Sequence, residues 1–146
     1  MEPESAAVPL ECTLAIIKPD AVACGLTGVI IKRIEDERFT ITGMRLVHLT
    51  KREAEGFYAV HRARPFFDAL TDFMSSGPAV VLALRGESAI SRWRELMGAT
   101  NPTEAEPDTL RRLYGASIDR NATHGSDAPD TAASEVGYFF AGSELI

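Results

Sequence analysis

Apolar residues follow one another along this chain in short unbroken runs and in helical stripes, and their order outlines a fold. Cys12 to Ile17 is a largely apolar run ended by Lys18-Pro19-Asp20, where proline cannot continue a central strand, so a buried strand and then a turn are expected. Ile30, Ile31 and Ile34 next share one face of a helix capped by Thr27, with Lys32, Arg33, Asp36 and Glu37 on the other face. Phe39 to Leu49 alternates as a strand does, and Gly43 between Ile41 and Met44 marks a bulge. Thr50 with Glu53 makes a capping box for a helix running to about Arg62, and Pro65 opens another that runs through about Met74.

Ser76-Gly77-Pro78 is a turn, and Ala79 to Leu84 is a second buried run of strand length. Glu87 to Met97 places Ile90, Trp93 and Met97 on one face of a helix that Gly98 ends. Residues 99–117 contain two prolines and little periodicity, the mark of a functional loop. A short strand and a last helix, about Thr131 to Phe140, close the chain. The order of elements suits an α+β domain with a four-stranded sheet and helices on one face, occupying residues 11–146 after a disordered lead-in over Met1–Leu10.

Composition narrows the function. The 146 residues are enough for one core and one domain. No apolar stretch approaches the roughly 20 residues that span a bilayer, and the acidic, proline-containing N-terminus does not read as an export signal. Cys12 and Cys24 form no CxxC pair, so neither a disulfide framework nor a zinc site is expected, and a reducing, cytoplasmic setting fits. A net charge of −6 argues against nucleic acid as a specific partner. A small anion is still within reach, because Arg85, Arg92, Arg94, Arg111, Arg112 and Arg120 fall within one third of the chain and could focus positive charge in one cleft. Scattered surface arginines are the blander reading of the same residues.

The most informative segment is Asn121-Ala122-Thr123-His124-Gly125-Ser126-Asp127, which sets a histidine among small and polar residues before an acidic helix start. His48 and His61 fall in a strand and a helix, where a surface or satisfied side chain is the expectation. Gly125 removes side-chain bulk beside His124 and would let a large ligand approach. No GxxxxGK[ST] or GxGxxG loop is present, so phosphates are not cradled as in P-loop or dinucleotide-binding folds.

The segment from Asn121 to Asp127 resembles the signature of nucleoside diphosphate kinases, and the resemblance runs from about Cys12 to Phe140. It includes Ala15-Ile16-Ile17-Lys18-Pro19-Asp20, Arg64-Pro65-Phe66-Phe67, Ser76-Gly77-Pro78, Thr100-Asn101-Pro102 and Glu135, in the family's order. The resemblance implies a ferredoxin-like βαββαβ sandwich with a four-stranded antiparallel sheet and a long loop before the strand of His124. It implies ping-pong transfer of the γ-phosphate of a nucleoside triphosphate such as ATP to nucleoside diphosphates through a phosphohistidine on His124, at Nδ1. Glu135 would hold the other ring nitrogen, and the Tyr58 hydroxyl would reach the site. Lys18, Arg94 and Arg111, with the Thr100 hydroxyl, would face the phosphates, and a guanidinium fork suits two phosphate oxygens. Lys18 and Asn121 would bind the ribose hydroxyls, while Phe66 and Ile118 would sandwich the base. Mg²⁺ would arrive on the nucleotide, with no metal site in the protein. A homo-oligomer, tetramer or hexamer built on dimers, is implied as well.

Ala21, Cys24, Ala99 and Arg112 depart from the common family pattern, and none of them removes a residue assigned to chemistry. Two rival readings stand beside this one: a nucleotide-binding module without turnover, and a hydrolase using Ser126, His124 and Asp127, whose closeness in sequence suits a triad poorly.

Overall fold

In the computed structural model, which describes residue 8 and residues 10–146, four strands form one sheet. They are β1 (Leu10–Ile17), β2 (Thr40–Val47), β3 (Ala79–Glu87) and β4 (Thr123–Gly125), in the order β2-β3-β1-β4. Every neighbouring pair is antiparallel. Leu10 faces Glu87 and Ile17 faces Val80 across the central pair, and Ile16 faces His124 at the edge. The pairing of β2 with β3 slips between Ile41 and Gly43, the bulge expected at that glycine.

The runs in β1 and β3 are apolar at successive positions because both faces of the sheet are buried. Ala15, Ile17, Leu82 and Leu84 look one way, onto Ile30 and Ile34 of α2 (Thr27–Asp36) and Trp93 of α5 (Ala89–Met97). Leu14, Ile16, Val81 and Ala83 look the other way, onto α3 (Lys51–Phe57), α4 (Phe67–Met74) and α7 (Pro129–Phe139). The antiparallel four-stranded sheet thus stands as expected, but helices cover both of its faces. Strands without polar alternation require that second cover.

Local differences have local causes. Lys18-Pro19-Asp20 opens a short helix, α1 (Pro19–Ala23), since the fixed φ of Pro19 suits a first helical turn. Thr27 is already inside α2; its cap is Leu26, which makes no side-chain cap bond. The Thr50 and Glu53 capping box is present, but α3 stops at Phe57, just after the poor helix former Gly56, and a 3-10 turn, Ala59–His61, follows. Pro65 lies in the turn before α4, and Glu87 still pairs in β3 before the chain reverses at Ser88, φ 50°. The long loop carries a 3-10 turn, Pro102–Glu104, and α6 (Leu110–Tyr114), both too short for their periodicity to be read. The last helix begins at Pro129, not Thr131. Of the lead-in expected over Met1–Leu10, residues 1–7 and 9 lie outside the described residues, and Leu10 belongs to β1.

Leu82 is fully buried at the centre of the first face. Leu82→Ala is expected to lower the unfolding free energy by about 3 kcal/mol, measured as a lower urea midpoint with an unchanged slope; a loss under about 1 kcal/mol would contradict this packing.

Candidate active site

The strand that carries His124 is three residues long and pairs with β1 alone, and two side chains from elsewhere reach its carbonyls. Arg111 of α6 donates Nη2 to the Thr123 carbonyl at 3.0 Å, and Trp93 of α5 donates Nε1 to the His124 carbonyl at 3.1 Å. Just before the strand, Ala122 takes a left-handed φ of 76°, a conformation that costs an L residue about 1 kcal/mol. Its N–H donates to Oδ2 of Asp20 at 3.1 Å, and its carbonyl accepts the N–H of Lys18 at 2.8 Å. At the end of the strand, Gly125 has a different reason from the one expected. Its open side faces the protein, where a β-carbon would come within 2.5 Å of Trp93 Cδ1 and 2.7 Å of Met97 Cε.

The imidazole of His124 is mostly enclosed, with 18% of the side chain exposed. Its Nε2 lies 2.9 Å from Oε1 of Glu135 on α7, and the same oxygen accepts the Ser126 hydroxyl at 2.8 Å. Ser126 in turn accepts the N–H of Leu14 at 3.3 Å. Burial works against ionisation of Glu135, but the His124 hydrogen bond, the His124 charge and the Ser126 hydroxyl together hold its carboxyl below the ordinary glutamate range. An ionised carboxylate is an acceptor only, so it takes the proton of Nε2 and leaves Nδ1 of a neutral imidazole with its lone pair. Phe57 and Tyr58 meet the ring edge-on, with centroids 5.4 and 6.0 Å away. The Tyr58 hydroxyl is buried without a hydrogen-bond partner, and burial followed by the charge of Glu135 pushes its pKa well above the tyrosine range. It stays a proton donor.

Ser126 is bonded to Glu135 and Asp127 to Arg94, at 2.7 Å, so the Ser126, His124 and Asp127 triad is not assembled.

A cavity of about 580 Å³ opens beside this cluster, and six residues expected at a nucleotide site line it: Lys18, Phe66, Thr100, Arg111, Ile118 and Asn121. Phe66 and Ile118 are 45% and 56% exposed, apolar surface left open at the rim. Lys18 donates Nζ to Oδ1 of Asn121 at 2.8 Å, and Asn121 donates Nδ2 to the Thr100 carbonyl at 3.0 Å. Burial and then the nearby Arg111 charge lower the Lys18 pKa to about 8, against the pull of Asp20 and Asp119. Arg111 donates Nη1 to the Gly98 carbonyl at 3.0 Å while its buried Nε has no partner, and burial with Arg94 brings its pKa to about 10. His124 and Arg94 are not part of the cavity wall; Arg111 joins the two regions, since it lines the cavity and holds the residue before His124.

Sequence reasoning missed part of the wall. Ala69, Leu70 and Phe73 follow Phe66 at helical spacings of three, four and seven, and all face the cavity. That stripe was legible, but it reads equally well as core. Arg120, noted only as one of the clustered arginines, lines the cavity with its guanidinium 5.0 Å from the Phe73 ring centre. Ser126 had no local signal for its bond to Glu135.

The sequence profile described as nucleoside diphosphate kinase matches residues 11–145. The chain belongs to the nucleoside diphosphate kinase family. It is 60% identical over 136 residues to the nucleoside diphosphate kinase of Desulfovibrio desulfuricans, covering 93% of this chain and 98% of that one. It is 57% identical to the enzyme of the same name from Desulfotalea psychrophila, covering 94% of this chain and 100% of that one. Among solved structures, the nucleoside diphosphate kinase of Aquifex aeolicus superposes with a TM-score of 0.93 at 42% identity, covering 94% of this chain and 100% of that one. That of Halobacterium salinarum, in complex with CDP, superposes with a TM-score of 0.89 at 37% identity, covering 93% and 91%. The family's ferredoxin-like arrangement is the one built here by β1, α2, β2, β3, α5 and β4, with α3 and α4 inserted before β3.

The lowered pKa of Lys18 generates a pH dependence. A protonated Lys18 attracts a nucleotide, so kcat/KM for a nucleoside diphosphate is expected to fall as pH rises through about 8, and Lys18→Met should lower kcat/KM and remove that limb of the profile. Its contribution to stability has the opposite sign. Between about 8 and 10.5 the unfolded chain binds a proton that the folded chain does not, so this lysine's share of the unfolding free energy rises with pH across that window.

Proposed function

We propose that this member of the nucleoside diphosphate kinase family transfers phosphate through His124, with the remaining site residues in the roles that their places in the structure support. The observation that carries the reading is the bond between Glu135 and Nε2, which leaves Nδ1 as the ring nitrogen free to attack. Nδ1 attacks the γ-phosphorus of a nucleoside triphosphate, the bond from phosphorus to the bridging oxygen of the β-phosphate breaks, and the diphosphate departs. Glu135 stabilises the positive ring that results. A terminal β-phosphate oxygen of a second nucleoside diphosphate then attacks the phosphorus on Nδ1, and the phosphorus–nitrogen bond breaks. The ring returns to neutrality.

Lys18, Arg94, Arg111, the Thr100 hydroxyl and the Tyr58 hydroxyl serve the charge on the phosphoryl oxygens, as a loose transition state requires. Arg94 is free to do so because its pair with Asp127 is a surface pair, both side chains exposed by 46% or more, and such pairs are worth about 0–1 kcal/mol. Lys18 and Asn121 bind the ribose, and Phe66 and Ile118 take the two faces of the base. Apolar stacking uses no base-edge hydrogen bonds, which favours broad acceptance of purines and pyrimidines.

Among the described residues no group of three or more His, Cys, Asp or Glu is placed to hold a metal ion. The cavity wall offers one carboxylate, Asp119, among Lys18, Arg111 and Arg120, too few acidic ligands for a divalent ion, so Mg²⁺ belongs on the nucleotide phosphates, where it would neutralise part of their charge. Among the described residues no helix is long and apolar enough to cross a membrane, and Cys12 and Cys24 are free thiols; both fit a cytoplasmic enzyme. The reading extends to one kinase domain over residues 11–146 and to a homo-oligomer, tetramer or hexamer, built on dimers. Met44 and Leu46, 54% and 70% exposed on the edge strand β2, support an interface between copies.

Incubation with γ-labelled ATP is expected to leave an acid-labile, alkali-stable label on the protein, with ping-pong kinetics at steady state. His124→Ala should lose the label and at least about three orders of magnitude of turnover while still binding nucleotide; turnover retained by that variant would refute the assignment. Glu135→Gln should lower kcat by about ten- to a hundredfold with a smaller change in KM, and an unchanged kcat would remove Glu135 from the mechanism.

A further inference from the structure

Trp93 is the one tryptophan of the chain, and its sequence context places it only on the apolar face of α5. In the structure it is fully buried, and its indole N–H ends on the backbone of the residue that carries the nucleophile, at 3.1 Å from the His124 carbonyl. A leucine or phenylalanine could fill the same space without a donor, whereas a buried indole must find an acceptor. The ring also lies against the α-carbon of Gly125, where an added β-carbon would sit 2.7 Å from Nε1. The next residue of the same helix is Arg94, joined to Asp127 beyond β4. Trp93 thus ties the backbone of His124 to the same helix that carries Arg94.

We propose that Trp93 is a positioning residue for phosphoryl transfer: its indole N–H, bonded to the His124 carbonyl, fixes the imidazole relative to Arg94 and so sets the rate of attack, not the binding of nucleotide. This rests on His124 being the nucleophile. The shortness of β4 makes the bond consequential, because β1 is its only sheet neighbour and, among the described residues, the only other side-chain donor to its carbonyls is Arg111 of α6, on the Thr123 carbonyl. Attack in line tolerates little displacement of the reacting nitrogen, so a backbone shift of a fraction of an ångström reaches the rate. The indole touches neither nucleotide nor reacting atoms and acts through the main chain.

A single tryptophan makes a clean test possible. Production in a tryptophan auxotroph fed benzothienylalanine replaces Trp93 alone by a ring of nearly the same shape whose sulfur replaces the N–H. With the full-length enzyme and γ-labelled ATP in rapid-quench experiments, the rate constant for labelling His124 is expected to fall about three- to tenfold, and the ATP concentration giving half the maximal rate to change less than about twofold. An unchanged rate constant, or a loss confined to ATP affinity, would overturn the proposal. Trp93→Phe should show the same split, with its urea midpoint measured alongside; lost stability with labelling at the parental rate would make the role purely structural and the inference wrong. Absence of label from the unsubstituted enzyme would instead overturn the assignment of His124 as nucleophile.

Discussion

The hydrogen bond between His124 Nε2 and Glu135 Oε1, at 2.9 Å, decides which ring nitrogen can react, and much of the surrounding structure keeps that bond in place. Glu135 comes from α7, which packs on the sheet through Val136 and Phe139, so the position of its carboxylate is set by the second core. Ser126 ties the same oxygen to the edge of β1 through the Leu14 N–H. His124 itself rides on a three-residue strand, where bonds from Trp93 and Arg111 to the His124 and Thr123 carbonyls add to the ladder with β1 that the Lys18 N–H extends to Ala122. The nucleophile is thus held from three directions by elements far apart in the chain.

Electrostatics follow from the same enclosure. The chain carries a net charge of −6, yet the cavity gathers Lys18, Arg111 and Arg120 on its wall. Burial makes the first two uncomfortable, which is why their pKa values are lowered to about 8 and about 10. A buried cation is costly until an anion pairs with it, and the proposed phosphate contacts would supply that anion. Of the buried polar side-chain atoms without partners among the described residues, two, Tyr58 Oη and Arg111 Nε, belong to residues expected at the site, and three belong to Thr13, Asp20 and Thr123.

Much of the fold was legible because the signals were local. Unbroken apolar runs marked β1 and β3, helical spacing marked α2 and α5, and the Thr50 and Glu53 pair marked the start of α3. The unbroken runs of β1 and β3 carried the sign of two covered faces, but no periodicity could find a five-residue α6 inside a loop whose only sign in the sequence is Thr109 as its cap. In the site, six of the expected residues line one cavity, while His124, Glu135 and Tyr58 form a cluster beside it. Arg94 stands apart from both groups, paired with Asp127.

The sequence by itself determined the strand and helix repertoire, the family, and the identity of the histidine, because residue type and spacing of a few positions suffice for those. Tertiary structure alone decided what holds the histidine and why its glycine neighbour is needed. Glu135 and Trp93 lie 11 and 31 residues from His124, and Arg111 lies 12 from Thr123, and they act through bonds to the His124 ring, the His124 carbonyl and the Thr123 carbonyl. No local period encodes such pairings; they exist only once the strand order β2-β3-β1-β4 lays α5, α6 and α7 around one short edge strand.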